Sequence, residues 1–150
     1  MKLLSFVVLC ALAAGACSKE DGNNLPTSPT NSAPSINVAF SATDLRAGTG
    51  TTATAGRLVA VRYTGWTYST TAVDNKGTQF DTSIGRAPLP FVVGGTQVIS
   101  GFSRGVLGMR VGGRRLVVIP PELAYGAAGR PPTIGANNTL VFEIELLTVQ

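Results

Sequence analysis

Near its end the chain reads TLVFEIELLTV from Thr139 to Val149, and Leu140, Phe142, Ile144 and Leu146 alternate there with Glu143 and Glu145. A period of two directs the apolar set to one face of a β-strand and the carboxylates to the other, whereas a helix would scatter both around its circumference. The acidic face is expected to meet water. One such strand cannot bury its apolar face alone, so the rest of the sequence has to supply partners.

Similar strand patterns occur at Arg57–Tyr68, where Leu58, Ala60 and Arg62 fall opposite Val59, Val61 and Tyr63, and at Gly77–Thr82, Leu89–Val93 and Arg114–Ile119. The β-type pattern begins at Val38 and Phe40, ahead of a Gly/Thr-rich turn over 47–56. A single segment has helical periodicity, Val98–Met109, through Ile99, Phe102, Val106 and Met109. Its Gly101, Gly105 and Gly108 each lower intrinsic helicity by up to about 1 kcal/mol relative to Ala, so this helix must be held by packing on the sheet. Gly112-Gly113 turns the chain into the next strand. The expected class is α+β, an antiparallel β-sheet bent around one short α-helix, over residues 36–150.

The first residues, MKLLSFVVLCALAAGAC, have one positive charge at Lys2, a largely apolar run from Leu3 to Ala14 and then small residues. That is the pattern of an export signal over 1–16. Two cleavage readings share a cut before Cys17. Ala14-Gly15-Ala16 fits the small-x-small rule, and the same residues followed by Cys17 resemble a bacterial lipobox, which also accounts for the cysteine. Lipidation of Cys17 is the preferred expectation, with a soluble exported protein as the alternative. Cys10 would leave with the leader, so one cysteine remains and no internal disulfide is expected. Residues 17–35, rich in Ser, Thr, Asn and Pro after the cysteine, read as a flexible tether. The expected location is the cell envelope, on the periplasmic side of an outer membrane if the host has one.

Composition excludes several chemistries. The chain has no histidine among its 150 residues, which removes a Ser/His/Asp triad and an HExxH zinc helix; one mature cysteine cannot form a CxxC pair. No metal and no cofactor is expected. Gly94-Gly95 and Gly112-Gly113 lack the flanking residues of a phosphate loop and read as turns. Without Lys2, 11 basic residues face 8 acidic ones, a net charge of +3, and Arg114-Arg115 is the one basic doublet. No nucleic-acid partner is expected from so small and dispersed an excess.

What remains is a set of aromatic residues: Tyr63, Phe80, Phe91, Phe102, Tyr125 and Phe142. Most should fill a core. Asp81 directly follows Phe80, however, and a carboxylate beside a buried ring needs a donor, which Tyr63 or Arg86 could provide. Tyr125 sits in a loop rich in Gly, Ala and Pro, where an aromatic has less reason to be core.

Taken together, YTGW at 63–66, FDTS at 80–83, VISGF at 98–102, VIPPELAYGAAG at 118–129 and TLVFEIELL at 139–147 resemble the FKBP family of peptidyl-prolyl isomerases, in the family's order and spacing. The resemblance covers roughly residues 56–149. It implies a five-stranded antiparallel sheet wrapped on one short helix. It also implies an apolar proline pocket in which Tyr63, Phe80, Asp81, Ile99, Tyr125 and Phe142 act on the substrate, with Val98 beside them. Phe102 stands where many members have a Trp at the pocket floor, and Leu89 where an aromatic is common. Thr133 and Ile134 fall in the flap after Tyr125, Arg130 occupies a variable flap position, and Gln97 replaces a residue that is often acidic. Arg86 and Phe91 complete the expected substrate-binding set.

The activity implied is rotation about X-Pro bonds, assisted by desolvation of the amide, with Asp81 acting electrostatically under the orientation of Tyr63. Implied partners are unfolded or nascent exported polypeptides, with macrolides as candidate inhibitors and the membrane reached through the lipid anchor. A monomer is expected. The alternative is a non-catalytic binding module or holdase of the same fold; such chaperones usually carry a large flap insertion, and here Tyr125 reaches Phe142 in 17 residues.

Overall fold

The computed structural model describes residues 38–150; the leader, Cys17 and the tether expected from the sequence lie outside the described residues. Six strands and one α-helix follow in the order β1 (Ser41–Arg46), β2 (Leu58–Tyr68), β3 (Lys76–Thr82), β4 (Leu89–Val92), α1 (Ser100–Val106), β5 (Arg114–Ile119) and β6 (Leu140–Val149). Single 3-10 turns at Val73–Asn75 and Pro121–Leu123 carried no periodic signal. Among the described residues no helix is long and apolar enough to cross a membrane.

Every pairing in the sheet is antiparallel, in the order β1-β5-β6-β2-β3, with β4 also on β2. β2 is the spine. One side pairs with β6 from Val59 to Thr67, while the other takes β4 at Leu58–Val61 and β3 at Thr64–Tyr68. β3 and β4 therefore share one lane, and six strands fill five positions across the sheet. This is the FKBP-like architecture expected from the sequence, with β1 as the strand whose pairing the sequence did not place. All six residues of β1 are exposed, so it has no buried face and no alternation to read.

The inner face of β6 closes the core as its alternation requires: Leu140, Phe142, Ile144 and Leu146 are buried beside Val59, Val61 and Phe91. The outer carboxylates differ from expectation. Glu143 accepts Lys76 at 2.8 Å and pairs with Arg114, and Glu145 accepts Arg46 at 2.7 Å, so this face meets basic side chains from β1, β3 and β5 as well as water.

α1 is shorter than its periodicity. Ile99 is extended (φ −59°, ψ 146°), so the helix begins at Ser100, and an extended Leu107 followed by Gly108 at φ +78° ends it. That turn folds the chain back and returns Met109 to the buried side, which is why the spacing of three continues past the helix. Two of the glycines have a packing reason. A Cβ on Gly105 would stand 2.8 Å from both Val117 methyls, and one on Gly101 would run into Ile119, so their absence lets α1 lie flush on β5. Arg115 then ties the helix to the sheet edge: its guanidinium donates to the Gly105 and Leu107 carbonyls at the helix C-terminus and to Asp44 of β1.

Candidate active site

The concave side of the sheet, the start of α1 and the loop after β5 enclose a cavity of about 260 Å³. β2 contributes Tyr63, β3 contributes Phe80 and Asp81, and β6 contributes Phe142. Val98, Ile99 and Phe102 enter from the helix and its approach, and Tyr125 with Arg130 from the loop. Leu89 and Gln97 complete the rim.

Phe102 is 3% exposed and forms the floor, with ring centroids 5.1 Å from Phe142 and 5.5 Å from Tyr63, both nearly perpendicular. Phe80 meets Phe142 edge to face at 5.5 Å. Gly65 makes this stack possible: a Cβ there would come within 2.7 Å of both the Phe80 and the Phe142 rings. The glycine of YTGW is thus a requirement of the site, and the sequence offered no sign of it beyond the motif.

One carboxylate borders these rings. Asp81 accepts the Tyr63 hydroxyl at 2.6 Å on Oδ2, and on Oδ1 the Arg86 guanidinium and the Thr82 N–H, each at 2.8 Å. Both donors considered from the sequence are used together, and the backbone adds a third. Burial alone would raise the Asp81 pKa, but these three donors outweigh it and hold the carboxyl below its ordinary value. Tyr63 moves the other way, pushed up to about 12 by burial and by its bond to Asp81. At neutral pH the pair is a neutral phenol donating to a carboxylate. Arg86 also donates to the Thr82 carbonyl.

Ser83 escaped the sequence reading although it ends the FDTS motif. It is buried, its Oγ accepts the Tyr63 N–H at 2.8 Å, and its own N–H donates to the Tyr63 carbonyl at 2.9 Å. It fixes the backbone that carries the phenol. Its position in the motif, two residues after Asp81, was the available signal.

Four expected substrate-binding residues lie elsewhere. Phe91 is fully buried beneath Phe102, ring centroids 5.6 Å apart, and is core because the pleat of β4 turns it inward. Ile134, 1% exposed, is also core: it anchors the flap, where its backbone and that of Arg130 exchange hydrogen bonds of 2.8 and 3.0 Å. Arg86 acts on Asp81 from outside the cavity, and Thr133 is exposed on the flap. Gln97 lines the rim, and its side-chain carbonyl also accepts the Val92 N–H at 3.1 Å.

The Ile99 N–H and the Tyr125 hydroxyl at the cavity mouth have no protein partner among the described residues. Two open donors above an apolar floor can hold peptide carbonyls. No group of three His, Cys, Asp or Glu side chains is placed to hold a metal among the described residues.

Residues 49–147 match the family model described as FKBP-type peptidyl-prolyl cis-trans isomerase. The chain is 44% identical to an FK506-binding protein of Neisseria meningitidis over 107 residues, 71% of this chain and 92% of that protein. It is 47% identical to the 39 kDa FK506-binding nuclear protein of Drosophila melanogaster over 102 residues, 68% of this chain, but spans only 27% of that longer protein. Among solved structures it is similar to the crystal structure of FkpA from Escherichia coli, with a TM-score of 0.61 and 41% identity, covering 74% of this chain and 48% of the other.

Proposed function

The chain belongs to the FKBP-type peptidyl-prolyl cis-trans isomerase family, and from that premise we propose that it catalyses rotation about X-Pro bonds in exported polypeptides of the cell envelope. The observation that carries the reading is the cavity built on Phe80, Phe102 and Phe142, whose one carboxylate, Asp81, is already satisfied by three donors. Such a site is suited to excluding water, and a saturated carboxylate is poorly suited to accepting a proton.

The chemistry requires little more. Amide resonance sets a barrier of about 18–20 kcal/mol to rotation, and no bond need be broken. Water favours the planar, more polar amide, so moving it among Phe80, Val98, Ile99, Phe102 and Phe142 raises the ground state relative to the twisted form. Each 1.36 kcal/mol so gained is about tenfold in rate. The Ile99 N–H and the Tyr125 hydroxyl hold flanking carbonyls while the bond turns. Asp81, oriented by Tyr63, acts electrostatically through its local dipole with Tyr63 and Arg86 rather than as a general base.

Export and anchoring form part of the same proposal: the leader pattern over 1–16 and Cys17 support lipid attachment in the envelope. Metabolic labelling with a fatty acid, comparing wild type and Cys17→Ala, tests it; an unlabelled wild type leaves a soluble exported protein. The relatives named for FK506 binding support a macrolide as a competitor for the same cavity.

A proline-isomerisation assay on wild type, Phe80→Ala and Asp81→Ala tests the activity. Wild type should exceed both variants, and equal background rates in all three would leave a binding module without catalysis.

A further inference from the structure

A second depression, of about 410 Å³, adjoins the cavity and shares Phe80, Asp81 and Arg130 with it. Arg86 and Thr133 also line it, between the end of β3 and the flap. Its charges are unequal: two guanidinium groups face one carboxylate. Arg86 is committed to Asp81 and to the Thr82 carbonyl. Arg130 reaches no carboxylate within ion-pair distance among the described residues, and its guanidinium lies 5.9 Å from the Tyr125 ring centroid.

Arg130 is also a supported cation. Its backbone is closed into a hairpin with buried Ile134, so the charge projects from an anchored part of the flap. The opposite rim of the cavity, at Leu89, Gln97, Val98 and Ile99, is uncharged. A peptide whose proline fills the cavity must leave it in two directions, and one of them passes a net positive charge.

We infer that the depression receives the side chain next to the substrate proline and that Arg130 favours an acidic residue there. This rests on the isomerase reading and adds a substrate class to it. The Arg86–Asp81 pair matters to the preference, because without it the Asp81 charge would repel the incoming carboxylate.

The test uses proline peptides that differ at one position, carrying Glu, Gln or Lys either directly before or directly after the proline, assayed with the full-length protein. Exchanging attraction for repulsion at an exposed charge pair should separate Glu from Lys by about three- to tenfold in kcat/KM. The separation should occur at one of the two positions, with Gln between. It should collapse in Arg130→Gln, persist in Arg130→Lys, invert in Arg130→Glu, and fade in 1 M salt, where the screening length is about 3 Å. Glu and Lys peptides turned over equally at both positions, or a separation unchanged in Arg130→Gln, would overturn the inference while leaving the isomerase reading intact. If no peptide is turned over, the isomerase reading falls instead, and calorimetric Kd values for the same peptides carry the test: tighter binding of Glu that depends on Arg130 upholds the inference, and a flat series overturns it.

Discussion

The Tyr63 hydroxyl donates to Asp81 at 2.6 Å across a diagonal of the β2–β3 pair, because Asp81 is the register partner of Gly65, two residues along. Strand geometry thus places a phenol and a carboxylate on the concave face at the mouth of an aromatic cavity, and the bare Gly65 between them leaves room for the Phe80 ring.

Tyr63→Phe retains the ring that packs 5.5 Å from Phe102 and removes only the hydrogen bond. Asp81 keeps Arg86 and the Thr82 N–H, so the fold should survive with a loss of about 1–2 kcal/mol in urea unfolding. The rate kcat/KM should fall by about three- to tenfold as the carboxylate loses its orientation. An unchanged rate would remove Asp81 orientation from the mechanism.

The two pKa shifts give a pH profile with a definite sign. Asp81 lies below its ordinary value in the folded state, so its stabilising contribution is present above the ordinary carboxylate range and lost as pH falls through its lowered folded pKa. Tyr63 lies above its ordinary value, so its contribution is present below 10 and lost as pH rises toward about 12. Stability and rate should both be level between about pH 6 and 9. Asp81→Asn should abolish that part of the acid decline that Asp81 causes, and an identical decline in the variant would count against the assignment.

Gly105→Ala sets helix propensity against packing. Propensity favours alanine in a helix interior by about 1 kcal/mol. The added methyl meets both Val117 methyls at 2.8 Å in a buried interface, where overpacking costs about 1–3 kcal/mol. A net destabilisation is expected, read as a lower urea midpoint. A higher midpoint would show that the helix can lift from β5 without cost.

Gly65→Ala should act on the site more than on the fold. The new methyl comes within 2.7 Å of the Phe80 and Phe142 rings, so the rings must separate or β2 must shift. A stability loss of about 1–3 kcal/mol should accompany a rise in KM for proline peptides, since these rings wall the cavity. Unaltered KM with the folded protein intact would mean that the edge-to-face arrangement does not set substrate fit.

Much of the site was legible before any coordinates, chiefly through the family resemblance of YTGW, FDTS, VISGF and VIPPELAYGAAG, because chemistry and periodicity alone left most of the aromatic residues as core. With no histidine and only two cysteines among its 150 residues, the chain offered little of the usual triad or thiol chemistry, which left Asp81 among the aromatics as the feature needing an account. The register of β6 followed from its alternation, because a slip of one residue would bury Glu143 and Glu145. Phe91 and Ile134 were harder, because an apolar residue in a strand or flap is equally suited to core or cavity. The choice depended on which way the pleat and the flap turned.

Residue type and order therefore sufficed for the α+β class and for the strand and helix segments other than β1, since each reports on its own local period, while the resemblance to the FKBP family supplied the aromatic and carboxylate groups of the site. Contacts between distant segments did not follow from them. β1 forms through backbone pairing with β5 and the Asp44–Arg115 ion pair, neither of which leaves a hydrophobic period. Gly65 and Gly105 are required by rings and methyls brought from Phe80, Phe142 and Val117. The Tyr63 bond to Asp81 and the placement of the Arg130 charge beside that carboxylate exist only once β2, β3 and the flap are side by side. Excluded volume and charge balance are properties of that assembled space.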